Sequence, residues 1–284
     1  MRILLTGSSG FIGNKLLNRL CELNCEVAIH VRTKPTDFES NITVFCGELI
    51  NFSKQIKDFS PHYVFHLAGK SNYPTNIKEE LELWESNELY GTILLSILKD
   101  IPNLIFVNFT SSLAYEDGDI TPFTYYALTK ANFVNNLMFF SQRSSMRVFN
   151  LILYSVYGRG DKSKRAINYI IDALDSPQPV LMSPGEQQMD FVHVDDVIKL
   201  CEELLKEKPI GDLEDIYVGS GKSHTLKDIS TLIEKITNKH ANIDFGGIPY
   251  RNEEKMVNIA LIERNRFWKS TIPFEKGIES LLKN

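Results

Sequence analysis

The sequence has few of the features that tie a chain to a membrane or to nucleic acid. It contains no run of about 18 apolar residues, so no membrane-spanning helix is predicted. Lys and Arg number 31 against 36 Asp and Glu, the formal net charge is −5, and there is no strongly basic stripe of the kind that binds nucleic acid. The N-terminus passes directly into a strand pattern without a signal peptide, and we therefore expect a cytoplasmic protein.

Patterns that bind metals are also missing. The four cysteines (Cys21, Cys25, Cys46 and Cys201) lack metal-ligand spacing, and the six histidines form no HxxH or HExxH pattern. Because no export signal is present, we expect the thiols to be reduced. A metal enzyme is therefore not expected.

Short apolar runs alternate with amphipathic stretches through the first half of the chain. Strands are predicted at 2–6, 26–31, 42–46, 63–67, 104–109 and 147–153. Helices are predicted at 11–23, 78–99 and 125–143. This alternation is typical of parallel βαβ units and predicts an α/β fold with a Rossmann-type doubly wound sheet.

The rhythm changes after Tyr157, where loops rich in Pro, Gly and Ser precede short strands and helices. We interpret residues 1–157 as a dinucleotide-binding domain and residues 158–284 as a smaller α/β substrate-binding lobe. Residues 188–206 are expected to return to the first domain.

A glycine motif follows the first predicted strand and opens the first predicted helix. Gly7 permits a tight turn, Gly10 lets the backbone approach a diphosphate, and Gly13 lets the helix lie close to the sheet. The helix N-terminus offers N–H groups and a partial positive charge to the anion. The cofactor contacts expected here are Gly7, Ser9, Gly10, Phe11, Ile12 and Gly13.

The end of the second strand indicates which dinucleotide is bound. NAD-binding sheets usually carry an acid there, which accepts hydrogen bonds from the adenosine ribose. Val31 occupies that position and Arg32 follows it. Because a guanidinium binds a 2′-phosphate through charge-assisted hydrogen bonds, Arg32 favours NADP(H).

Tyr126 and Lys130 form a Tyr-x-x-x-Lys pair, a spacing that arises by chance about once in a chain of this composition. Its context is more specific, because the pair opens a helix just after the strand that ends near Ser111 and Ser112. Residues four apart share one helix face, and an ammonium nearby favours the phenolate. Tyr126 is therefore a candidate general acid or base, with a Ser hydroxyl on the same substrate oxygen.

Further segments resemble the extended short-chain dehydrogenase/reductase family, in its branch of nucleotide-sugar epimerases, reductases and dehydratases. His66–Gly69 resembles the family's HLAA, and the segment at 87–92 resembles NxxGT. The others are 156–160, 190–196 and 272–278, which resemble VYGPG, DFVHVDD and TPFEEGI. The resemblance runs nearly the whole length of the chain.

The resemblance implies roles for individual residues. Ser112, Tyr126 and Lys130 would be catalytic, and Asn87 would be a structural polar residue beside the site. Because the family's SSxxVYG segment is one residue short here, Ser111 remains an alternative to Ser112. The remaining implied cofactor contacts are Glu48 and Leu49 at the adenine, and Ala68 and Gly69.

Two family residues that help to hold the nucleotide diphosphate are replaced. Ser155 stands where the family has Asn, and Met189 where it has Arg. Candidate substitutes are Arg159, Arg165 and Arg251, and the sequence does not choose among them.

The substrate implied is a nucleotide-diphosphate sugar. A 4,6-dehydratase needs an Asp-Glu pair after the catalytic hydroxyl, whereas Leu113 and Ala114 follow Ser112. Val31 and Arg32 favour a reductase that draws on NADPH, similar to the 4-ketosugar reductases that complete deoxysugars such as CDP-abequose. The alternatives are an NAD(P)-dependent 4-epimerase and a non-catalytic NADP-binding regulator.

The predicted helices at 78–99 and 125–143 are apolar on more than one face, and Leu137 to Phe140 form a continuous apolar run. The resemblance implies a homodimer built through an intersubunit four-helix bundle. Burial of these faces under the C-terminal lobe is the alternative.

Overall fold

The structure, a computed structural model, describes residues 1–33, 42–163 and 165–283. Its α-helices are α1 (Phe11–Glu22), α2 (Ser53–Phe59), α3 (Ile77–Trp84), α4 (Tyr90–Leu98), α5 (Tyr125–Ser141), α6 (Ala166–Asp172), α7 (Val194–Leu204), α8 (Leu226–Thr237) and α9 (Phe274–Leu282). Short 3-10 helices cover Leu49–Phe52, Ser112–Ala114 and Ile262–Arg264, and a π-helical turn covers Glu85–Leu89. None of the helices in the described part of the chain is long and apolar enough to cross a membrane.

The strands of the first half are β1 (Arg2–Thr6), β2 (Glu26–Val31), β3 (Thr43–Cys46), β4 (Tyr63–His66), β5 (Ile105–Ser111), β6 (Tyr115–Glu116), β7 (Asp119–Ile120) and β8 (Arg147–Leu153). Those of the second half are β9 (Ser155–Tyr157), β10 (Val180–Met182), β11 (Gln188–His193), β12 (Leu213–Val218), β13 (Ser223–His224), β14 (Ile243–Phe245) and β15 (Val257–Asn258). The strands and helices expected before Tyr157 are found with ends displaced by two residues or fewer, except that the helix expected at 78–99 is divided into α3, the π-helical turn and α4.

Seven strands form the central sheet in the order β12-β8-β5-β4-β1-β2-β3. The pairs β1–β2, β2–β3, β1–β4 and β4–β5 are parallel, and Ile3 lies opposite both Val27 and Tyr63. The strand order reverses between β1 and β4, and such a reversal is where open α/β sheets bind ligands at the carboxyl ends of their strands. The prediction of a Rossmann-type doubly wound sheet is confirmed.

Apolar side chains on β1, β4 and β5 account for much of the core beside this sheet. Leu4, Val64 and Phe106 are completely buried and pack with Leu94 and Phe133 from the helices α4 and α5. Burial of one such side chain stabilises the fold by roughly 1.5–3 kcal/mol. Near-continuous apolar runs in these strands therefore agree with a sheet that is covered on both faces.

The chain divides into two compact units. The first comprises Met1–Ile152 and Ile198–Ile216, and it contains most of the seven-stranded sheet. The second comprises Leu153–Val197 and Tyr217–Asn284.

The second unit has a core of its own, in which Tyr157, Phe191 and Phe274 pack together. Asp190 is completely buried there, and it accepts four hydrogen bonds at 2.7–3.1 Å from Ser220, Gly221 and Ala260. A buried carboxylate is tolerated when its oxygens are satisfied in this way. The segment at 190–196 therefore has a structural part in the second unit.

Candidate active site

The turn between β1 and α1 is shaped by the absence of side chains. Gly7 has φ of +73°, and a Cβ there would lie 2.6 Å from the backbone nitrogen of Ala68. A Cβ on Gly13 would lie 2.1 Å from the carbonyl oxygen of Gly7, so the helix approaches the turn as closely as a backbone can. Gly10 precedes α1 and supplies no side-chain cap. The N–H groups of the first helical turn therefore suit a diphosphate.

The predicted adenosine end lies at the carboxyl ends of β2 and β3. The carbonyl oxygen of Val31 accepts a hydrogen bond from Gly47 at 3.0 Å, and Arg32 is exposed just beyond the strand. Glu48 is exposed, whereas Leu49 is 5% exposed and contributes to the core. The strand ends thus bring Arg32, Glu48 and Leu49 to one edge of the sheet.

Sequence reasoning missed a buried pair beside this edge. Tyr90 Oη lies 2.8 Å from His30 Nδ1, and the ring of Tyr90 stacks on His66. Burial raises the pKa of the Tyr90 phenol, and the nearby charge of Arg32 lowers that pKa in part. The pair joins β2 to α4, two elements that are 60 residues apart in sequence, and no local pattern signals it.

Both serines lie where β5 ends. Ser111 is the last residue of the strand, and its Oγ accepts a hydrogen bond from the backbone of Leu113 at 3.2 Å. Ser112 begins the 3-10 turn that follows, and both serines are buried. Ser111 Oγ caps this turn as an acceptor and keeps its own O–H to donate, so Ser111 and Ser112 both stay candidates for the hydroxyl that faces a substrate.

Tyr126 lies in the first turn of α5. Thr124 caps this helix, since its Oγ1 accepts a hydrogen bond from the backbone of Ala127 at 3.1 Å. Tyr126 is half-buried, and Lys130 follows one turn later on the same face. The cap therefore sets the start of the helix that carries the predicted Tyr-Lys pair.

Lys130 is 8% exposed and connects this helix to the strand that ends at the serines. Its Nζ donates a hydrogen bond to the carbonyl oxygen of Phe109 on β5 at 3.1 Å. A Cβ on Gly69 would lie 3.1 Å from the same Nζ. Burial lowers the pKa of Lys130 to about 8. Three predicted groups, Lys130, Gly69 and the strand of Ser111, thus meet at one point.

Asn87 lies in the π-helical turn Glu85–Leu89 and is 1% exposed. Its Oδ1 accepts a hydrogen bond from the backbone N–H of Lys70 at 2.7 Å, and its Nδ2 donates to Lys70 O and Thr129 Oγ1, each at 3.0 Å. Thr129 Oγ1 in turn donates to the carbonyl oxygen of Tyr126 at 2.8 Å. Asn87 therefore ties the loop after β4 to the first turn of α5.

The π turn is a departure from the helix predicted at 78–99, which the structure divides into α3, the turn and α4. π turns inside α-helices are frequent at functional sites, because they displace a side chain from the regular face. Here the π turn contains the buried Asn87. Hydrophobic periodicity carries no signal for one inserted residue when the apolar faces on both sides are long.

An ion pair that the sequence did not predict closes the same loop. Lys70 Nζ lies 2.6 Å from Glu82 Oε2 on α3, and both side chains are partly exposed. The hydrogen bond from Lys70 lowers the pKa of Glu82. The loop that begins at Ala68 and Gly69 is therefore held by its backbone at Asn87 and by a side chain at Glu82.

His66 is buried in the core of the first unit. Its Nδ1 lies 2.9 Å from Thr6 Oγ1, and its ring packs on Phe133. Burial, together with the charge of Lys130, lowers the pKa of His66 to about 3. The ring is therefore neutral at pH 7, which suits a packing role.

The predicted diphosphate ligands belong to the second unit. Ser155 is on β9, opposite Phe191, and Arg159 follows that strand in an exposed position. Arg165 donates a hydrogen bond to the carbonyl oxygen of Val156 at 3.1 Å, and Arg251 is exposed between β14 and β15. Within the first unit, the structure brings Lys130 next to Gly69 and to the strand that ends at Ser111. Ser155, Arg159, Arg165 and Arg251 belong to the second unit.

Comparison with known proteins places this geometry in context. A CDP-abequose synthase of Salmonella muenchen is 26% identical over 291 residues, which cover 99% of this chain and 97% of that protein. A dTDP-4-dehydro-6-deoxyglucose reductase of Escherichia coli is 23% identical, with 99% of this chain and 96% of that protein covered.

Among solved structures, a UDP-glucuronic acid 4-epimerase from Bacillus cereus in complex with UDP-glucuronic acid and NAD superposes with a TM-score of 0.87. It is 23% identical, and the match covers 99% of this chain and 98% of that one. Residues 3–219 match the family described as NAD dependent epimerase/dehydratase. The match spans most of the chain, including the glycine turn and the Tyr-Lys pair, and the chain belongs to the NAD dependent epimerase/dehydratase family.

Proposed function

We propose that this chain is an NADPH-dependent reductase of a nucleotide-activated 4-keto-6-deoxy or 3,6-dideoxy sugar. The observation that carries the proposal is the position of the Lys130 amine. It lies between the carbonyl oxygen of Phe109, just before the two serines, and the backbone of Gly69, one turn from Tyr126. An ammonium in this position, one helical turn from the phenol of Tyr126, suits proton transfer to a ketone oxygen.

The residues of the first unit fit a nicotinamide dinucleotide. Side chains at Gly7 or Gly13 would collide with backbone atoms, and the N-terminus of α1 has no side-chain cap. When bound, NADPH supplies the hydride for the carbonyl carbon of the sugar. Val31 and the exposed Arg32 at the end of β2 favour the phosphorylated dinucleotide over NAD, because a guanidinium attracts a 2′-phosphate.

Each protein group then has one task. Tyr126 donates its phenolic proton to the ketone oxygen, while the hydroxyl of Ser112, or of Ser111, donates a hydrogen bond to the same oxygen. Lys130 stabilises the phenolate that forms, since a positive charge nearby favours the ionised phenol. Asn87 keeps the first turn of α5 and the loop at Gly69 in register.

The substrate class is supported by the names of the relatives. A synthase of CDP-abequose and a reductase of dTDP-4-dehydro-6-deoxyglucose both match nearly the full length of this chain. Both names describe nucleotide-linked deoxysugars. We place the reaction in deoxysugar biosynthesis for surface polysaccharides, in the cytoplasm, with Ser155, Arg159, Arg165 or Arg251 as candidate ligands of the substrate diphosphate.

A 4-epimerase is the second candidate, and the match to the family described as NAD dependent epimerase/dehydratase supports it. The two reactions differ in what they do to the cofactor. A reductase consumes one NADPH per turnover, whereas an epimerase returns its bound cofactor to the starting state.

The test mixes purified protein with NADPH or NADH and a panel of nucleotide 4-keto-6-deoxysugars, and follows the loss of nicotinamide absorbance. We expect oxidation of NADPH with at least one ketosugar and a clear preference for NADPH. Interconversion of two UDP-hexoses without net oxidation would establish the epimerase instead. Equal use of NADH would contradict the role of Arg32.

We further propose a homodimer formed through α3, α4 and α5. Exposed apolar side chains on these helices include Ile77, Leu81, Phe139 and Met138, with exposed fractions of 74%, 53%, 53% and 41%. Contiguous exposed apolar surface marks interaction sites. The substitutions Leu81→Glu and Phe139→Glu are expected to shift the mass measured by light scattering from dimer to monomer, and an unchanged mass would contradict this interface.

A further inference from the structure

Four polar side chains lie beside the proposed catalytic residues, outside the glycine turn and the contacts of Asn87. Asn150 on β8 is completely buried. Its Oδ1 accepts a hydrogen bond from Asn108 Nδ2 at 2.8 Å, and its Nδ2 donates to Tyr115 Oη at 2.8 Å and to Asp215 Oδ1 at 2.6 Å. We call Asn108, Tyr115, Asn150 and Asp215 the Asn150 network.

The network lies where polar side chains lower the stability of the fold. Asn and Asp are disfavoured in strands, and a buried polar group without a partner costs roughly 1–3 kcal/mol. Asn108, Asn150 and Asp215 nonetheless sit on three neighbouring strands, β5, β8 and β12. Burial raises the pKa of Asp215, and the hydrogen bond from Asn150 lowers it in part. Apolar residues would fill this space without such a cost.

The donors and acceptors fix the direction of every bond in the network. The amino group of Asn150 faces Asp215, and the carboxyl oxygen accepts one of its two hydrogens. Its second hydrogen then points to Tyr115 Oη, and its oxygen is left for Asn108. The carboxylate at one end thereby locks the phenol of Tyr115 in place at the other.

Tyr115 directly follows the 3-10 turn Ser112–Ala114, which begins with a proposed catalytic hydroxyl. The other side of that turn is held by the segment leading into α5. Phe123 N–H donates to Leu113 O at 3.0 Å, and Thr121 N–H donates to Ala114 O at 2.9 Å. The turn is therefore clamped between the phenol of Tyr115 and the segment that ends in Tyr126.

We propose that Tyr115, oriented by Asn150 and Asp215, is a positioning residue that sets where the Ser111 and Ser112 hydroxyls lie relative to Tyr126. The inference rests on the proposed function, because those hydroxyls are the ones assigned to the ketone oxygen. A displacement of about 1 Å at a reacting group is enough to lower a rate by as much as ~100-fold. Because hydrogen bonds are directional, the Asn150 network holds the turn Ser112–Ala114 in one position, whereas an apolar contact would allow several.

The first test compares Tyr115→Phe with Tyr63→Phe as a matched control. Tyr63 is also a buried tyrosine of the first unit, and its Oη donates to Leu205 O at 3.3 Å from the amino end of β4, away from the carboxyl ends of the strands. Each substitution removes one buried hydroxyl and should lower Tm by a similar amount.

We expect kcat for the ketosugar to fall about tenfold in Tyr115→Phe, with the KM of the ketosugar and the Kd of NADPH changed less than about twofold. In Tyr63→Phe kcat should stay within about twofold of wild type. Equal kcat values in the two variants would overturn the proposal, since a purely structural hydroxyl changes Tm alone.

A second pair of variants tests the far end of the network. Asp215→Asn keeps an oxygen that accepts from Asn150, whereas Asp215→Leu removes it. We expect Asp215→Asn to retain several times the kcat of Asp215→Leu. Equal kcat in these two variants would contradict a role for the carboxylate end.

Amide hydrogen exchange gives a readout that needs no turnover. Residues 111–116 should exchange faster in Tyr115→Phe than in wild type and should be unchanged in Tyr63→Phe. If wild-type protein reduces no ketosugar, the reductase proposal fails while this measurement still decides the positioning role. Unchanged exchange at 111–116 in Tyr115→Phe would overturn it.

Discussion

The glycine turn at residues 7–13 and the Ser-Tyr-Lys cluster are built by opposite means. At the turn, glycines let α1 pack directly against the backbone that follows β1. A Cβ on Gly13 would lie 2.1 Å from the carbonyl oxygen of Gly7. At the cluster, a buried side chain reaches from a helix to the neighbouring strand, as in the hydrogen bond from Lys130 Nζ to the carbonyl oxygen of Phe109. The turn therefore depends on which positions lack a side chain, whereas the cluster depends on which side chains the folded sheet brings together.

The largest loss of activity is expected from a substitution in the Ser-Tyr-Lys cluster. Tyr126→Phe removes the proposed proton donor and should lower kcat about 1,000-fold, while the Kd of NADPH changes little. Steady-state kinetics and a fluorescence titration of NADPH measure the two quantities. Tyr125→Phe is the control, because Tyr125 is exposed and has no lysine four residues later. Turnover that survives unchanged in Tyr126→Phe would contradict the role of Tyr126 as the proton donor.

A substitution in the glycine turn is expected to weaken the binding of NADPH as well as to lower the rate of the reaction. Gly13→Ala forces α1 away from the turn, and we expect the Kd of NADPH to rise about 100-fold with a loss of roughly 1–3 kcal/mol in stability. Gly10→Ala is the graded comparison, because its Cβ would meet only Gly7 O at 3.3 Å. Calorimetric titration should therefore show a much higher Kd of NADPH for Gly13→Ala than for Gly10→Ala. The reverse order would contradict the idea that the close approach of α1 to the turn is needed for cofactor binding.

The preference for NADPH over NADH is tested at Arg32, which follows the carboxyl end of β2. Arg32→Ala removes the proposed partner of the 2′-phosphate and should lower kcat/KM for NADPH by about 10–100-fold, with kcat/KM for NADH nearly unchanged. Lys54→Ala removes an exposed positive charge from α2 and serves as the control. Equal losses with both cofactors would mean that Arg32 supports the fold and makes no contact with the phosphate.

The smallest effect is a dependence of stability on pH. Burial lowers the pKa of Lys130 to about 8, so between pH 8 and the ordinary lysine value of 10.5 the unfolded chain binds more protons than the folded chain. The contribution of Lys130 to the free energy of unfolding therefore rises with pH across that window. Urea unfolding at pH 8, 9 and 10 should show wild type gaining stability relative to Lys130→Met, by about 2–3 kcal/mol in total.

A constant difference between wild type and Lys130→Met over this pH range would refute the burial of the amine. The bound cofactor must be absent from the measurement, because a nearby phosphate would change the pKa of Lys130.

Sequence patterns predicted the alternation of strands and helices, the glycine turn and the spacing of Tyr126 and Lys130. Each of these is a local property. Apolar runs define strands, glycines permit the turn, and four residues make one helical turn. The long helix at 78–99 shows the limit of such reasoning, since periodicity did not predict the π turn or the hydrogen bonds of its Asn87 to Lys70 and Thr129.

By itself, then, the order of residues determined which segments become strands and helices and which backbone positions must lack a side chain, because both follow from short-range sterics and burial. Only the tertiary structure decided that Asn150 hydrogen-bonds to Tyr115 and to Asp215, that His30 pairs with Tyr90, and that Lys70 pairs with Glu82. Hydrogen bonds and ion pairs act over about 3 Å, and residues tens of positions apart reach that distance only after the chain has folded.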